Sequence, residues 1–374
     1  MTDGTDILMF VEDPGPAHYV ASLPGSLAEN GWHSVVYATG LARNVLLNRQ
    51  IPFIAVDEFA TPESILHQLQ PRLLLTGTSE SPDSLGLQLI RAAQQYGIVT
   101  AAFIDAGMNS EYRFRGNSNE ALFFAPDWIL VPDDWTRHDF IRIGARADRT
   151  VICGHPQYDY VLSLRRTWTA EDRNNWRRQF LPAVADRQQV IVFLSEGSER
   201  VSLLSPIPPL QEYTLQGWGN RTGRTEIILE EFLMAAQTLQ QRPYLVLRLH
   251  PKDHQNDFHI YTTDFDHIDY ELPPLELVFC ADLVVGMTSM LLMEAALLGR
   301  QTLSILPRVE EMYWLSGVRD GMIPHVTTRD ALQRMLNDFA QSNPIISPVR
   351  NNHMPTLGAA QRIIELISSL MKKN

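Results

Sequence analysis

Short apolar runs that alternate with longer amphipathic stretches set the tightest limit on how this 374-residue chain can fold. Ile7–Val11, Ser34–Ala38, Phe53–Val56, Leu73–Thr76, Val99–Ile104 and Trp128–Val131 have the uninterrupted, β-branched character of buried strands. Between them, Tyr19–Asn30, Leu41–Leu47, Pro62–Leu69 and Ser84–Tyr96 carry helical spacing. This order predicts a parallel sheet covered by helices on both faces. Val151–Gly154 adds one more short strand. Residues 162–187 are rich in Arg and Trp and lack a strand signal. A second series follows: strands at Val190–Leu194, Tyr244–Leu249, Leu283–Val285 and Thr302–Leu306, with helices near Glu226–Gln240 and Leu275–Cys280. Thr328–Asp338 and Leu357–Met371 read as closing helices.

A chain of this length exceeds what one core usually supports. The reading is therefore α/β, with two Rossmann-like doubly wound parallel-sheet domains facing across a cleft. The first domain covers residues 1–165, a linker 166–187, the second domain 188–355, and a terminal helix over 356–374 can cross back to the first. Between Leu194 and Glu226, Ser205–Arg224 is rich in Pro and Gly and too long for a plain connection; such a loop is a functional lid or simply disordered, and Trp218 favours the lid.

The formal net charge of -12 disfavours nucleic acid or anionic membrane as the main partner. The most basic stretch, Arg165 to Arg178, is interrupted by Glu171 and Asp172 and reads as the solvated face of a linker helix. Cys153 and Cys280 have no metal-ligand spacing and read as reduced core residues of a cytoplasmic protein. The first residues lack the pattern of a secretory signal, and no apolar run is long enough for a transmembrane segment. A homodimer is compatible with all of this.

Ligands of open parallel sheets bind beyond the carboxyl ends of the strands, so polar residues at those ends carry the functional reading. After the first strand, Asp13 and His18 flank Gly15 and Pro16; either side chain could take a proton from a hydroxyl, or the segment is a plain helix start. No Gly-x-Gly-x-x-Gly is present, which excludes the nicotinamide fingerprint. Asp105 ends the buried run 101–104 and is followed by Arg113 and Arg115: a carboxylate for acid/base work or sugar contact, or a structural ion pair. His155, kept extended by Pro156, follows a later strand.

In the second half, Arg248 and His250 alternate along one strand face, with Lys252 just beyond. Thr288 and Ser289 can cap the helix that follows Leu283–Val285, and free N–H groups at a helix start suit phosphate. Glu294 lies in an otherwise apolar run, where a ribose diol would satisfy it, or it sits at a solvent edge. Gly197 and Ser198, after Val190–Leu194, could turn backbone N–H groups towards a ligand.

Taken together, the arrangement resembles the GT-B superfamily of nucleotide-sugar enzymes over nearly the whole chain. Val99-Thr-Ala-Ala-Phe-Ile-Asp-Ala-Gly-Met-Asn-Ser110 looks like the His-Val-Glu-Ala-Gly-Leu-Arg-Ser segment of the non-hydrolysing UDP-N-acetylglucosamine 2-epimerases, with Asp105 in place of the catalytic Glu. Val151-Ile-Cys-Gly-His-Pro-Gln-Tyr-Asp159 is similar to their Val-Thr-Gly-Asn-Pro-x-x-Asp. The His250-Pro251 pair and the Thr288-Ser289 turn resemble the His-Pro and Ser-Ser motifs of bacterial sialyl-, Kdo- and CDP-glycerol-type transferases. Glu294 resembles the Glu that many such transferases place on the donor ribose. The epimerases' Thr-x-His-Arg-x-Glu-Asn is replaced by Leu194–Arg200, and their Asp-Ser-Gly-Gly-x-x-Glu-Glu by Met287–Glu294.

The resemblance implies a metal-independent glycosyltransferase of glycan or polysaccharide biosynthesis, with no cofactor and a UDP-, CMP- or CDP-linked sugar as substrate. Asp13, Asp105 and His18 would be catalytic. His250, Lys252, Thr288, Ser289, Glu294, Gly197, Ser198 and Arg248 would hold nucleotide and phosphate. Arg113, Arg115, His155 and Gly15 would contact the sugar or a hydroxyl acceptor. The alternatives are an epimerase-like isomerase or hydrolase, and a non-catalytic binding subunit.

Overall fold

The computed structural model describes residues 4–56, 59–79, 81–197, 213–341, 355 and 357–372. They form two compact units, residues 1–160 with 355–374, and 161–354.

The first unit is built on seven parallel strands in the order β3-β2-β1-β4-β5-β6-β7. These are β1 Ile7–Val11, β2 Ser34–Ala38, β3 Ile54–Ala55, β4 Leu73–Thr76, β5 Val99–Phe103, β6 Trp128–Val131 and β7 Thr150–Ile152. Alternation along β1 explains the double-sided burial. Ile7, Met9 and Val11 enter one core cluster with Ile363, Ile364 and Ile367 of the final helix, Ala359–Met371. Leu8 and Phe10 enter the other, with Leu87, Ile90 and Phe114. The final helix is fastened by Asp159, which accepts from the N–H groups of Gly358 and Ala359, and by Arg362 donating to the Cys153 carbonyl. One expected helix is two: Pro14–Val20 and Leu23–Glu29, each with proline in its first turn.

The second unit carries six parallel strands in the order β10-β9-β8-β11-β12-β13. They are β8 Val190–Leu194, β9 Tyr244–Arg248, β10 His267–Asp269, β11 Leu283–Gly286, β12 Gln301–Ile305 and β13 His325–Val326. The short strands β10 and β13 carried no usable pattern in the sequence. The stretch expected to link two domains contains the helix Ala170–Phe180, and it belongs to this unit. Arg173 and Arg177 fasten it by ion pairs of 2.6 and 2.8 Å to the buried Asp282.

Of the expected lid, residues 205–212 lie outside the described residues, while Tyr213–Gly223 is tied down by two adjacent carboxylates of the helix Arg224–Ala236. Glu231 accepts from the N–H groups of Gln216 and Gly217, and its other partner is Arg329. Glu230 accepts from Trp218 N–H and from the Tyr261 hydroxyl. Both are fully buried, which their hydrogen bonds and the arginine make tolerable. Gly217 has φ of +57°, and a Cβ there would stand 2.4 Å from Glu230 Oε2. Gly217→Ala should therefore cost about 1–2 kcal/mol of backbone strain, with carboxylate displacement in addition. Urea unfolding followed by tryptophan fluorescence checks this: the midpoint falls if the Glu230 contact sets the loop, and an unchanged midpoint refutes the account.

Candidate functional site

Strand order reverses beside β1 in the first sheet and beside β8 in the second. In open parallel sheets the loops at such a reversal run to opposite faces and leave a crevice between them, which makes these strand ends the expected ligand position of each unit.

In the first unit that position joins the ends of β1, β4 and β5. Asp13 does not cap its own helix; its Oδ2 accepts from the Ser79 hydroxyl at 3.0 Å, across the β1/β4 reversal. Ser84 likewise donates to Glu12. Asp105 lies beside Gly15 so closely that a Cβ on Gly15 would be 2.0 Å from Asp105 Oδ2. Its Oδ1 faces Arg113 at 3.3 Å, and Arg113 also reaches the Thr78 hydroxyl and the carbonyls of Ala106 and Met108. Asp13, Gly15, Asp105 and Arg113 are thus brought together, with Thr78 and Ser79 completing the group. Arg113 is a buried positioning partner of Asp105. Arg115 does not join them and stacks on the Tyr112 ring at 4.4 Å.

The two first-unit histidines have other surroundings. His155, expected to touch sugar, is 2% exposed and packed between Tyr19 and Tyr158. Its Nδ1 accepts from Gln157 N–H. Burial, then the nearby His18, lowers its pKa to about 3. His18 has its Nδ1 buried without a hydrogen-bond partner, and burial with Arg49 lowers its pKa to about 4. Both imidazoles are therefore neutral near pH 7.

In the second unit the loop after β8 bridges the ends of β9 and β11. Ser195 donates to Asp253 at 2.5 Å and accepts from His250 N–H at 2.8 Å. His250 Nδ1 accepts from Lys252 N–H, which assigns the imidazole proton to Nε2. Gly197 is held against these residues: a Cβ there would stand 3.2 Å from His250 Nδ1 and 3.4 Å from Lys252 Cβ. Ser198 lies outside the described residues.

On the other side, Ser289 caps the helix Met290–Leu297 by accepting from Leu291 N–H, and Glu294 is buried on that helix. Thr288 is already engaged. Its N–H and its hydroxyl both donate to Glu196. Glu196 also pairs with Arg224 at 2.8 Å, and Arg224 pairs with the fully buried Glu311 at 2.5 Å. Burial disfavours the Arg224 charge, but Glu311 and Glu196 together raise its pKa. A carboxylate thus occupies the position where an anion would meet Thr288. Arg248, expected at this phosphate position, turns instead to Asp269 and the Leu272 carbonyl.

Thr78, Ser79, Glu196, Arg224, Asp253 and Glu311 were missed as candidates. Glu196 sits in the polar turn after β8 and could have been found there. Glu311 follows no strand directly and gives no local signal. A concavity of 490 Å³ lies apart from both clusters, beside the start of β10, where Gln255, His259 and Asp266 line it.

No protein-family model and no curated protein matches this chain. Solved structures do. UDP-GlcNAc 2-epimerase from Neisseria meningitidis, bound to UDP-GlcNAc, is similar with a TM-score of 0.68 at 15% identity, covering 97% of this chain and 99% of that one. The Methanocaldococcus jannaschii UDP-GlcNAc 2-epimerase, in complex with UDP-GlcNAc and UDP, gives 0.65 at 14% identity with the same coverage. HepE from Anabaena, in complex with UDP and glucose, gives 0.60 at 15% identity, again with 97% and 99% covered. The fold is accordingly GT-B, with its two Rossmann-like parallel-sheet units.

The histidine pKa values give a test. Both histidines are neutral when folded yet titrate near 6.5 when unfolded, so the unfolded chain binds more protons below that pH. Stability present above pH 6.5 should be lost as pH falls from 6.5 towards about 3–4. His155→Phe keeps a ring between Tyr19 and Tyr158 and should flatten the decline, read from denaturation midpoints at about pH 7, 6, 5 and 4. A decline as steep as the native protein's would remove His155 from the explanation.

Proposed function

We propose that this protein acts on a nucleotide sugar in the manner of a UDP-N-acetylglucosamine 2-epimerase, as an isomerase or hydrolase that needs no acceptor. The observation that carries this is the likeness of fold along the whole chain to epimerases solved with UDP or UDP-GlcNAc. The nucleotide falls to the second unit, where Gly197, His250, Thr288 and Ser289 surround the end of β8, with Glu294 for the ribose. A phosphate arriving at Thr288 replaces the Glu196 carboxylate, and Arg224, still held by Glu311, then faces it. Hydrogen-bond donors and a cation at that position stabilise the charge of a departing nucleotide.

Inverting a sugar carbon that bears hydrogen requires a proton to leave and return. Asp105, held by Arg113 and packed against Gly15, is the group for that role, with Asp13 beside it as the second carboxylate. A second reading, transfer to a hydroxyl acceptor, is favoured by one feature: Glu196 and Thr288 stand where the epimerase segments are replaced. In that case the same carboxylates deprotonate the acceptor.

Incubation with UDP-GlcNAc in D2O distinguishes these readings. The epimerase-type reaction yields the 2-epimer with deuterium at C2 and no added acceptor; hydrolysis yields free UDP. UDP release that appears only with an acceptor rejects the isomerase reading, and failure to bind any nucleotide sugar rejects both. Asp105→Asn should lower turnover by about 10²–10⁴-fold while UDP affinity stays within about twofold. Glu196→Gln removes the competing charge and should tighten UDP more than uridine in calorimetry; equal changes for the two ligands would show that no phosphate meets Thr288.

A further inference from the structure

Of the arginines read from sequence as a solvated linker face, Arg166 and Arg178 are exposed, but Arg165, Arg173 and Arg177 are turned onto the second sheet. At the amino-terminal edge of β8, β11 and β12, the opposite end of that sheet from the site above, four guanidinium groups gather around one buried carboxylate. Arg173 and Arg177 take both oxygens of Asp282, which is also bound by Val190 N–H. Arg165 donates to the Leu297 carbonyl and lies against Gly299, whose Cβ position is 3.1 Å from the Arg165 Cζ.

Arg300, just before β12, is the outlier. Among the described residues its guanidinium makes no hydrogen bond or ion pair, its Nε is buried without a partner, and its contact is with the Phe279 ring at 4.9 Å. Arg177 Nε is buried and unpartnered as well. Burial, then Arg173, lowers the Arg300 pKa to about 10, with Arg165 acting in the same direction and Asp282 opposing. It therefore stays charged at neutral pH. Glu276, the other carboxylate near this edge, acts on Cys280 rather than on Arg300. Excess half-buried positive charge with unused donors is costly unless an anion completes it.

We propose that Arg300, Arg165 and Arg173 form a binding site for a phosphate-bearing anion, separate from the nucleotide position of the same unit. Planar guanidinium groups suit phosphate oxygens. The aromatic group Trp168, Trp176 and Phe279 supports the arginines from the helix side, with ring centroids 4.7–6.0 Å apart. The site would answer to free pyrophosphate or to the phosphates of a second ligand. Because it stands at the other end of the sheet, it does not rest on the nucleotide-sugar reading.

The test is titration of pyrophosphate into the full chain, with and without saturating UDP. The native protein should bind pyrophosphate in the presence of UDP. Arg300→Met and Arg165→Gln should each weaken that binding by about tenfold or more, the loss of one charge-assisted hydrogen-bonding group, whereas Arg242→Gln, at an exposed arginine of the same unit, should not. Without anion, Arg300→Met should melt at a higher temperature than the native protein, because a half-buried, unpaired cation is gone. Its melting temperature should need about tenfold more pyrophosphate, or more, for the same rise. Absence of pyrophosphate binding by the native protein, binding by both arginine variants equal to the native protein's, or the same stabilisation by chloride at matched ionic strength would overturn the proposal. Arg165→Gln decides the matter if Arg300→Met does not fold.

Discussion

The Glu196 carboxylate holds together the polar end of the second sheet. The backbone that leaves β8 is tied to the loops that follow β9 and β11, through Ser195 and Glu196 respectively. Glu196 satisfies the Thr288 amide and hydroxyl on one side and carries Arg224 on the other, while Ser195 immediately before it ties the His250 loop. Removing one partner from such a buried network leaves a charge without compensation, which costs about 3–5 kcal/mol. On the proposed reading, a phosphate that takes over the Thr288 donors must leave Glu196 either paired with Arg224 or turned towards water.

The first unit solves the corresponding problem with different chemistry. The loop after β1 is secured by hydroxyls, Ser79 to Asp13 and Ser84 to Glu12. Asp105 is set by steric closeness to Gly15 and by one arginine, and a methyl group at Gly15 could not share the space. Of the two histidines that the sequence places near this region, His155 serves packing between Tyr19 and Tyr158. His155 and His250 use the same local device, a His-Pro-x turn in which Nδ1 accepts from the N–H two residues on. Burial separates their roles: His155 sits in a core of tyrosine rings, while His250 stays at the strand-end cluster.

The fold was legible because buried parallel strands announce themselves as apolar runs. Leu283–Val285 and Ile7–Val11 are both found, to the residue or within one. Short edge strands such as His267–Asp269 and His325–Val326 were not, since two or three residues cannot show a period. Asp105, His250 and Ser289 were legible as residues that close apolar runs or open a helix. Glu311 and Arg224 were not, because their importance comes from pairing across 87 residues of chain. Charge patterning misled at Arg173 and Arg177: alternation with Glu171 and Asp172 looked like a solvated face, but long arginine side chains reach past their neighbours to Asp282.

The account turns on the β8/β11 reversal being the place where a nucleotide phosphate meets the second unit. Backbone amide resonances report this directly. On titration with UDP, the amides of Thr288 and Gly197 should move strongly, and uridine at matched occupancy should move them far less. Shifts confined to the region around Gln255 and Ile268, with Thr288 and Gly197 unmoved, would contradict it.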